Sequence, residues 1–166
     1  MQLLKIISLS FILLNFYSFS NKACAKDLTH RFGIGLKNNT SESLPSIAAV
    51  YFPMAEIAVT GGFGMDTRKD NSRFQVHGGV RKIFFTEANL NFYTGAQFGL
   101  AQFETAFDGI QSGLEIHGVF GVEFFFQGLE NLGFTMEAGL AGASVGDTRF
   151  RTVADDPTRA GIIFYF

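Results

Sequence analysis

Ten side chains in this sequence could do chemistry together: the imidazoles of His77 and His117, the acids Glu56, Glu115, Glu123 and Glu137, and the bases Arg31, Arg73, Arg81 and Arg159. Most fall at even spacing opposite apolar neighbours. Arg73, Gln75, His77, Gly79 and Arg81 alternate with Phe74, Val76, Gly78 and Val80, and Glu115, His117, Gly121 and Glu123 alternate with Leu114, Ile116, Phe120 and Val122. His77, His117 and Glu137 lie near the middle of their segments, where they could act as general acids and bases. Covalent catalysis would also need a nucleophile beside its base. Neither histidine has one: His77 is followed by Gly78-Gly79 and His117 by Gly118. No zinc-type ligand spacing accompanies the two histidines and Glu137, so neither a metal nor a cofactor is expected. The simpler reading is a buried network of ion pairs and hydrogen bonds, with Gln75, Gln97 and Tyr93 between the charges, because charges taken out of water must be paired. That reading assigns no catalytic residue.

These charges need elements that place them all on one side, and alternation identifies eight extended segments of about ten residues. They run near Arg31 to Lys37, Ser43 to Phe52, Glu56 to Met65, Arg73 to Phe84, Asn89 to Ala101, Leu114 to Phe126, Leu132 to Ala143 and Arg159 to Phe166. The second segment is apolar on both faces, so its phase is open. Short connections (residues 53–55, 86–88 and 127–131) alternate with longer polar ones (38–42, 66–72, 102–111 and 144–157). A weak repeat at an offset of 42, Gly79-Val80 with Gly121-Val122 and Asn89 to Phe92 with Asn131 to Phe134, equals two hairpins. The loop Asp66 to Ser72 mixes signs and reads as a solvated turn. The longest loop carries Asp147, Arg149, Arg151, Asp155 and Asp156, either as a surface recognition element or as a polar stretch with no partner.

Composition fixes which face meets what. The chain has 166 residues, enough for one domain, and combines 21 Phe and 19 Gly with no Trp. Its amino end reads as a secretory signal: Lys5, an apolar run from Ile6 to Phe19, and Ala23-Cys24-Ala25 as a small-x-small cleavage site. The expected domains are a cleaved signal over 1–25 and a barrel over 26–166. Cleavage would remove Cys24, the single cysteine, together with Lys5 and Lys22. The remaining 11 Lys plus Arg against 15 Asp plus Glu give a charge of −4, which argues against nucleic acid as a partner. The exported chain has no run of about 18 apolar residues for a membrane helix, so its phenylalanines imply an apolar surface built from strands. Arginine facing hydrocarbon at mid-depth would cost about 2–4 kcal/mol, so the charged face must be the inside.

At the carboxyl end, Arg159, Gly161, Phe164 and Phe166 have the spacing of a polar residue, a glycine and two terminal aromatics. This resembles the carboxyl-terminal signal of bacterial outer-membrane barrels, and the eight-segment layout is similar to the small OmpA/OmpX-type barrels. The resemblance implies an all-β, eight-stranded antiparallel up-and-down transmembrane β-barrel in the bacterial outer membrane. It also implies recognition of the last strand by the barrel-assembly machinery, contact with outer-membrane lipid, and a monomer. With no Trp, the interfacial belts fall to Tyr51, Phe84, Phe85, Phe126 and Phe166. The function expected is structural, or surface interaction through the extracellular loops. A narrow channel and a lipid-modifying enzyme are the alternatives, the latter lacking the His-x-Ser arrangement of lipid A deacylases. A soluble lipocalin-like barrel would reverse the faces, with apolar residues inside.

Overall fold

Period-two alternation along this chain produces strands, and the computed structural model describes them over residues 27–38, 44–69, 71–105, 109–145, 147–152 and 159–166. They are β1 (Phe32–Asn38), β2 (Pro45–Met54), β3 (Ile57–Asp66), β4 (Arg73–Glu87), β5 (Leu90–Thr105), β6 (Gly109–Phe125), β7 (Leu132–Val145), β8 (Asp147–Thr152) and β9 (Arg159–Tyr165). Each consecutive pair from β1 to β7 is an antiparallel neighbour. β9 lies between β7 and β1, and its pairing with β1 closes an eight-membered ring. The proposed signal, residues 1–25, and Asp155 and Asp156 of the longest loop lie outside the described residues.

The register measures how far the ring is sheared. From Leu36 of β1 the paired residues run Ile47, Phe63, Val76, Leu100, Leu114 and Ser144 in one direction, and Ile162 and Phe134 in the other. Both routes end on β7, at residues 144 and 134. The circuit is therefore displaced by ten residues (144 less 134). For eight strands this stagger tilts the staves by about 40° and leaves an interior that side chains can fill.

Two irregularities explain places where simple alternation fails. Between Tyr51 and Met54 the second strand carries an extra residue against β3, which settles its phase: Ala48, Val50 and Phe52 point inward, Ile47 and Tyr51 outward. A bulge between Ile83 and Phe85 lets the consecutive Phe84 and Phe85 both face outward, packing near Phe120 and Phe92 respectively.

Two expected loops are partly strand. β5 and β6 extend into the stretch 102–111, up to Thr105 and from Gly109, and pair with each other there. Within the stretch 144–157, β8 pairs with the upper part of β7, from Leu140↔Thr152 to Val145↔Asp147. The lower part of β7, Leu132 to Glu137, pairs with β9. Ala138 and Gly139 of β7 lie between these two pairings. β8 was not legible as a strand because its charged residues Asp147, Arg149 and Arg151 resemble a solvated loop. Phe150 is its one large apolar residue, and it is 84% exposed.

The core sits at the end of the barrel that holds the short turns, where the described residues begin and end. Leu28, Phe52, Ile83, Tyr93, Phe125, Ile163 and Tyr165 form its larger part. Leu28 reaches it because a turn precedes β1. The Thr29 amide donates to Asp27 Oδ1 (2.8 Å), His30 adopts a left-handed φ of 59°, and the Arg31 amide returns to the Leu28 carbonyl (2.9 Å). The hydrogen bonds from Thr29 hold the exposed Asp27 carboxyl below the usual carboxylate range.

Candidate functional site

The ring turns one face of every strand inward, and the inward face of this barrel is polar. Three linked groups of side chains occupy it. Nearest the turns, Arg81 Nη2 donates to Glu123 Oε2 (2.9 Å) and to Tyr165 Oη (2.8 Å), while Tyr165 Oη donates to Glu123 Oε1 (2.6 Å). The Arg81 guanidinium carbon lies 5.0 Å from the centre of the Phe52 ring and 4.7 Å from that of Tyr93, so two aromatic rings cover a cation whose charge Glu123 balances. In the middle, Lys37 Nζ and Tyr93 Oη both donate to Glu137 Oε1, at 2.5 and 2.7 Å.

Toward the loop end, Arg159 Nη2 lies 3.0 Å from His117 Nδ1, and His117 Nε2 lies 3.3 Å from Glu115 Oε2. A guanidinium has only donors, so Nδ1 must be the acceptor and the ring proton sits on Nε2, facing the carboxylate. The imidazole thereby relays a hydrogen bond from a cation to an anion. Gln75 Nε2 adds a further donor to Glu115 Oε2 (2.6 Å). Glu115, His117, Glu123 and Glu137 are each no more than 2% exposed.

The ten residues singled out in the sequence divide seven to three. His77, Arg81, Glu115, His117, Glu123, Glu137 and Arg159 are buried in the lumen. Glu56 is exposed in the turn between β2 and β3, where its carbonyl accepts from the Ile83 amide (2.7 Å). Arg31 lies below the start of β1 and donates to Asn131 Oδ1 (2.9 Å). Arg73 is half-buried at the opposite rim, its Nε 3.2 Å from Asn71 Oδ1. Four acids facing four arginines was therefore the wrong inventory. Among the described residues the buried carboxylates are Glu115, Glu123 and Glu137, and the buried basic side chains other than histidine are Lys37, Arg81 and Arg159.

Lys37 and Tyr165 were the participants that the sequence reading missed. Both have the inward parity of Gly33 and Gly35 or of Arg159, so alternation alone would have found them. Glu137 and His117 both lie inside, but their bonds run to different partners. His117 has a partner at each ring nitrogen, so a general base would first have to break one of these bonds. No group of three or more metal-binding side chains occurs among the described residues.

The outward face has the opposite character. Ile34, Leu36, Val59, Phe63, Val80, Phe98, Ile116, Phe120, Met136, Leu140 and Ile162 all project from the wall and are exposed, as are the five aromatics expected at the belts. A lipocalin-like barrel requires the reverse arrangement. Lys82 is the charged exception on this face. It is exposed, it pairs across the wall with Ile57 and Thr94, and it lies five residues before the end of β4, close enough for its amine to reach the rim.

No protein-family model and no curated protein matches the chain. Among solved structures, the chain is similar to the N-terminal β-barrel domain of OprF from Pseudomonas aeruginosa. The TM-score is 0.62 at 16% identity, over 83% of this chain and 98% of that one. Neisserial surface protein A, NspA, also matches at 16% identity over 81% of this chain and 90% of that one, with a TM-score of 0.42. At such identity the likeness speaks for the fold, and that fold is the eight-stranded closed antiparallel barrel.

Proposed function

We propose that this chain is a non-catalytic barrel of the bacterial outer membrane, acting as a structural element or through the surface at its loop end. The observation that carries this reading is the inversion of polarity across the wall. Large apolar side chains cover the outside, and the inside holds matched charges. In water the outer face would be a liability far larger than the few hundred Å² that soluble monomers expose. In a bilayer it is the stable arrangement, since the pairing of β9 with both β1 and β7 closes the ring. Absence of catalysis is supported by His117, whose two nitrogens are both engaged in the network. Arg159, Gly161, Phe164 and Phe166 would serve as the assembly signal in this reading, with Phe164 and Phe166 facing lipid and Arg159 facing the lumen.

The test is fractionation followed by electrophoresis. The protein is expected in the outer membrane, migrating faster before boiling than after, and without stepwise conductance in planar bilayers because its lumen is filled. Recovery from the soluble periplasm would refute the reading, and reproducible conductance steps would refute the plug.

A further inference from the structure

The packed lumen contains one gap whose lining is unusual. A cavity with about 10 Å³ of room for a water-sized occupant lies between β1, β2, β3, β4, β5, β7 and β9. Its polar lining is Lys37, Thr60, His77, Arg81, Gln97 and Thr135, and no carboxylate borders it. That volume is about what one small occupant needs. The buried polar atoms of these residues without a hydrogen-bond partner include Arg81 Nε, Thr60 Oγ1 and Thr135 Oγ1. Arg81 and Thr135 are at least nine-tenths buried. The first of these atoms can only donate, and each hydroxyl has a proton it can turn toward the gap. Lys37 keeps two further ammonium protons beyond the one given to Glu137.

Two basic side chains and no carboxylate thus border a space of single-atom size. A water there would accept readily, but it would have two hydrogens of its own to place. A monatomic anion has none. We propose that the cavity is a binding site for one small inorganic anion of halide size, held by Arg81 Nε–H and the hydroxyls of Thr60 and Thr135, with Lys37 at its edge.

Charge balance gives the proposal a second, independent signature. Among the described residues the three buried carboxylates are matched in number by three buried basic side chains, Lys37, Arg81 and Arg159. An added anion would leave one uncompensated negative charge in a low-dielectric interior, which is costly. His77 borders the cavity and can take up the compensating proton. The titratable and charged groups acting on it from neighbouring elements are Lys37 of β1, His117 of β6, Glu137 of β7 and Arg159 of β9. Anion and proton therefore enter together, and occupancy rises as pH falls.

The experiment is anomalous diffraction from crystals of the detergent-solubilised barrel grown in bromide, at about pH 5 and about pH 8, either side of the ordinary histidine range. The expected result is a bromide peak in the cavity, within hydrogen-bonding distance of Arg81 Nε, stronger at the lower pH. Water density without anomalous signal at both values would overturn the proposal. Equal bromide occupancy at both would overturn the coupling to His77. Thr135→Val, checked for retained heat-shifted gel mobility, removes one donor and should weaken bromide binding about tenfold. Undiminished occupancy in that variant would show that these donors do not hold the ion. Each readout concerns the lumen alone and stands apart from where the protein resides.

Discussion

At the turn end of the lumen, Arg81 and Glu123 bond each other directly, and Phe52, Tyr93, Phe125, Tyr165 and Leu28 surround them. At the loop end, Arg159 reaches Glu115 through His117, and the nearby Gln75 is a polar amide rather than a ring. Both regions neutralise buried charge, but among the described residues only the first stacks aromatic rings on its ion pair. The contrast shows two ways of neutralising buried charge in a barrel of this width. An ion pair can close a lumen when aromatic rings fill the volume around it, whereas at the loop end a chain of polar side chains satisfies the charge without rings.

The largest expected effect comes from breaking the sealed end. Arg81→Met would leave Glu123 buried without its cation and should cost about 3–5 kcal/mol, read as a lower urea midpoint of the folded barrel. Adding Glu123→Leu to it should recover most of that loss, since paired apolar replacements are often neutral. A double variant no better than the single would mean that the pair contributes more than mutual neutralisation.

A smaller effect tests the aromatic part of the seal. Gly121 lies beneath the Tyr93 ring, so a methyl group there would sit 2.5 Å from Tyr93 Cζ. Gly121→Ala should therefore displace the ring from Glu137 and cost about 1–3 kcal/mol by overpacking, with the loss of the Tyr93 hydrogen bond visible in a crystal structure. An unmoved ring would show that the strand yields instead.

The smallest effect is expected at the loop end. His117→Gln keeps one donor and one acceptor on a side chain of similar reach, so stability should fall by about 1 kcal/mol or less in the same urea titration. A loss matching that of Arg81→Met would erase the distinction between the two ends.

Much of the ring was legible before its coordinates, because inward and outward faces differ so sharply that alternation marks seven of the eight staves. β2 had no readable phase, being apolar on both faces. Its inward side, Ala48, Val50 and Phe52, turned out to be part of the turn-end core rather than of the charged network. The site was only partly legible for a different reason. Parity reports which face a residue occupies but not its height along the barrel. Glu56, Arg31 and Arg73 have charge and suitable parity, yet they lie in a turn, below β1 and at the upper rim. Partner choice was also hidden, because the stagger of ten residues decides which side chains from distant strands come level. Nothing in the local sequence around Lys37 indicates that it meets Glu137, one hundred residues away.

The seam between β1 and β9 has a consequence for how the molecule comes into being. Ile34 and Phe164 face each other across it though 130 residues separate them (164 less 34). Joining the ends of so long a chain costs more entropy than any hairpin in the ring, and nothing is gained from it until the other strands are aligned. Until Arg159 to Tyr165 arrive, β1 and the Leu132–Glu137 part of β7 are bare edges able to recruit the wrong strand. Closure is then the last and the decisive step of folding, and an incomplete chain has no partially closed barrel in which to wait.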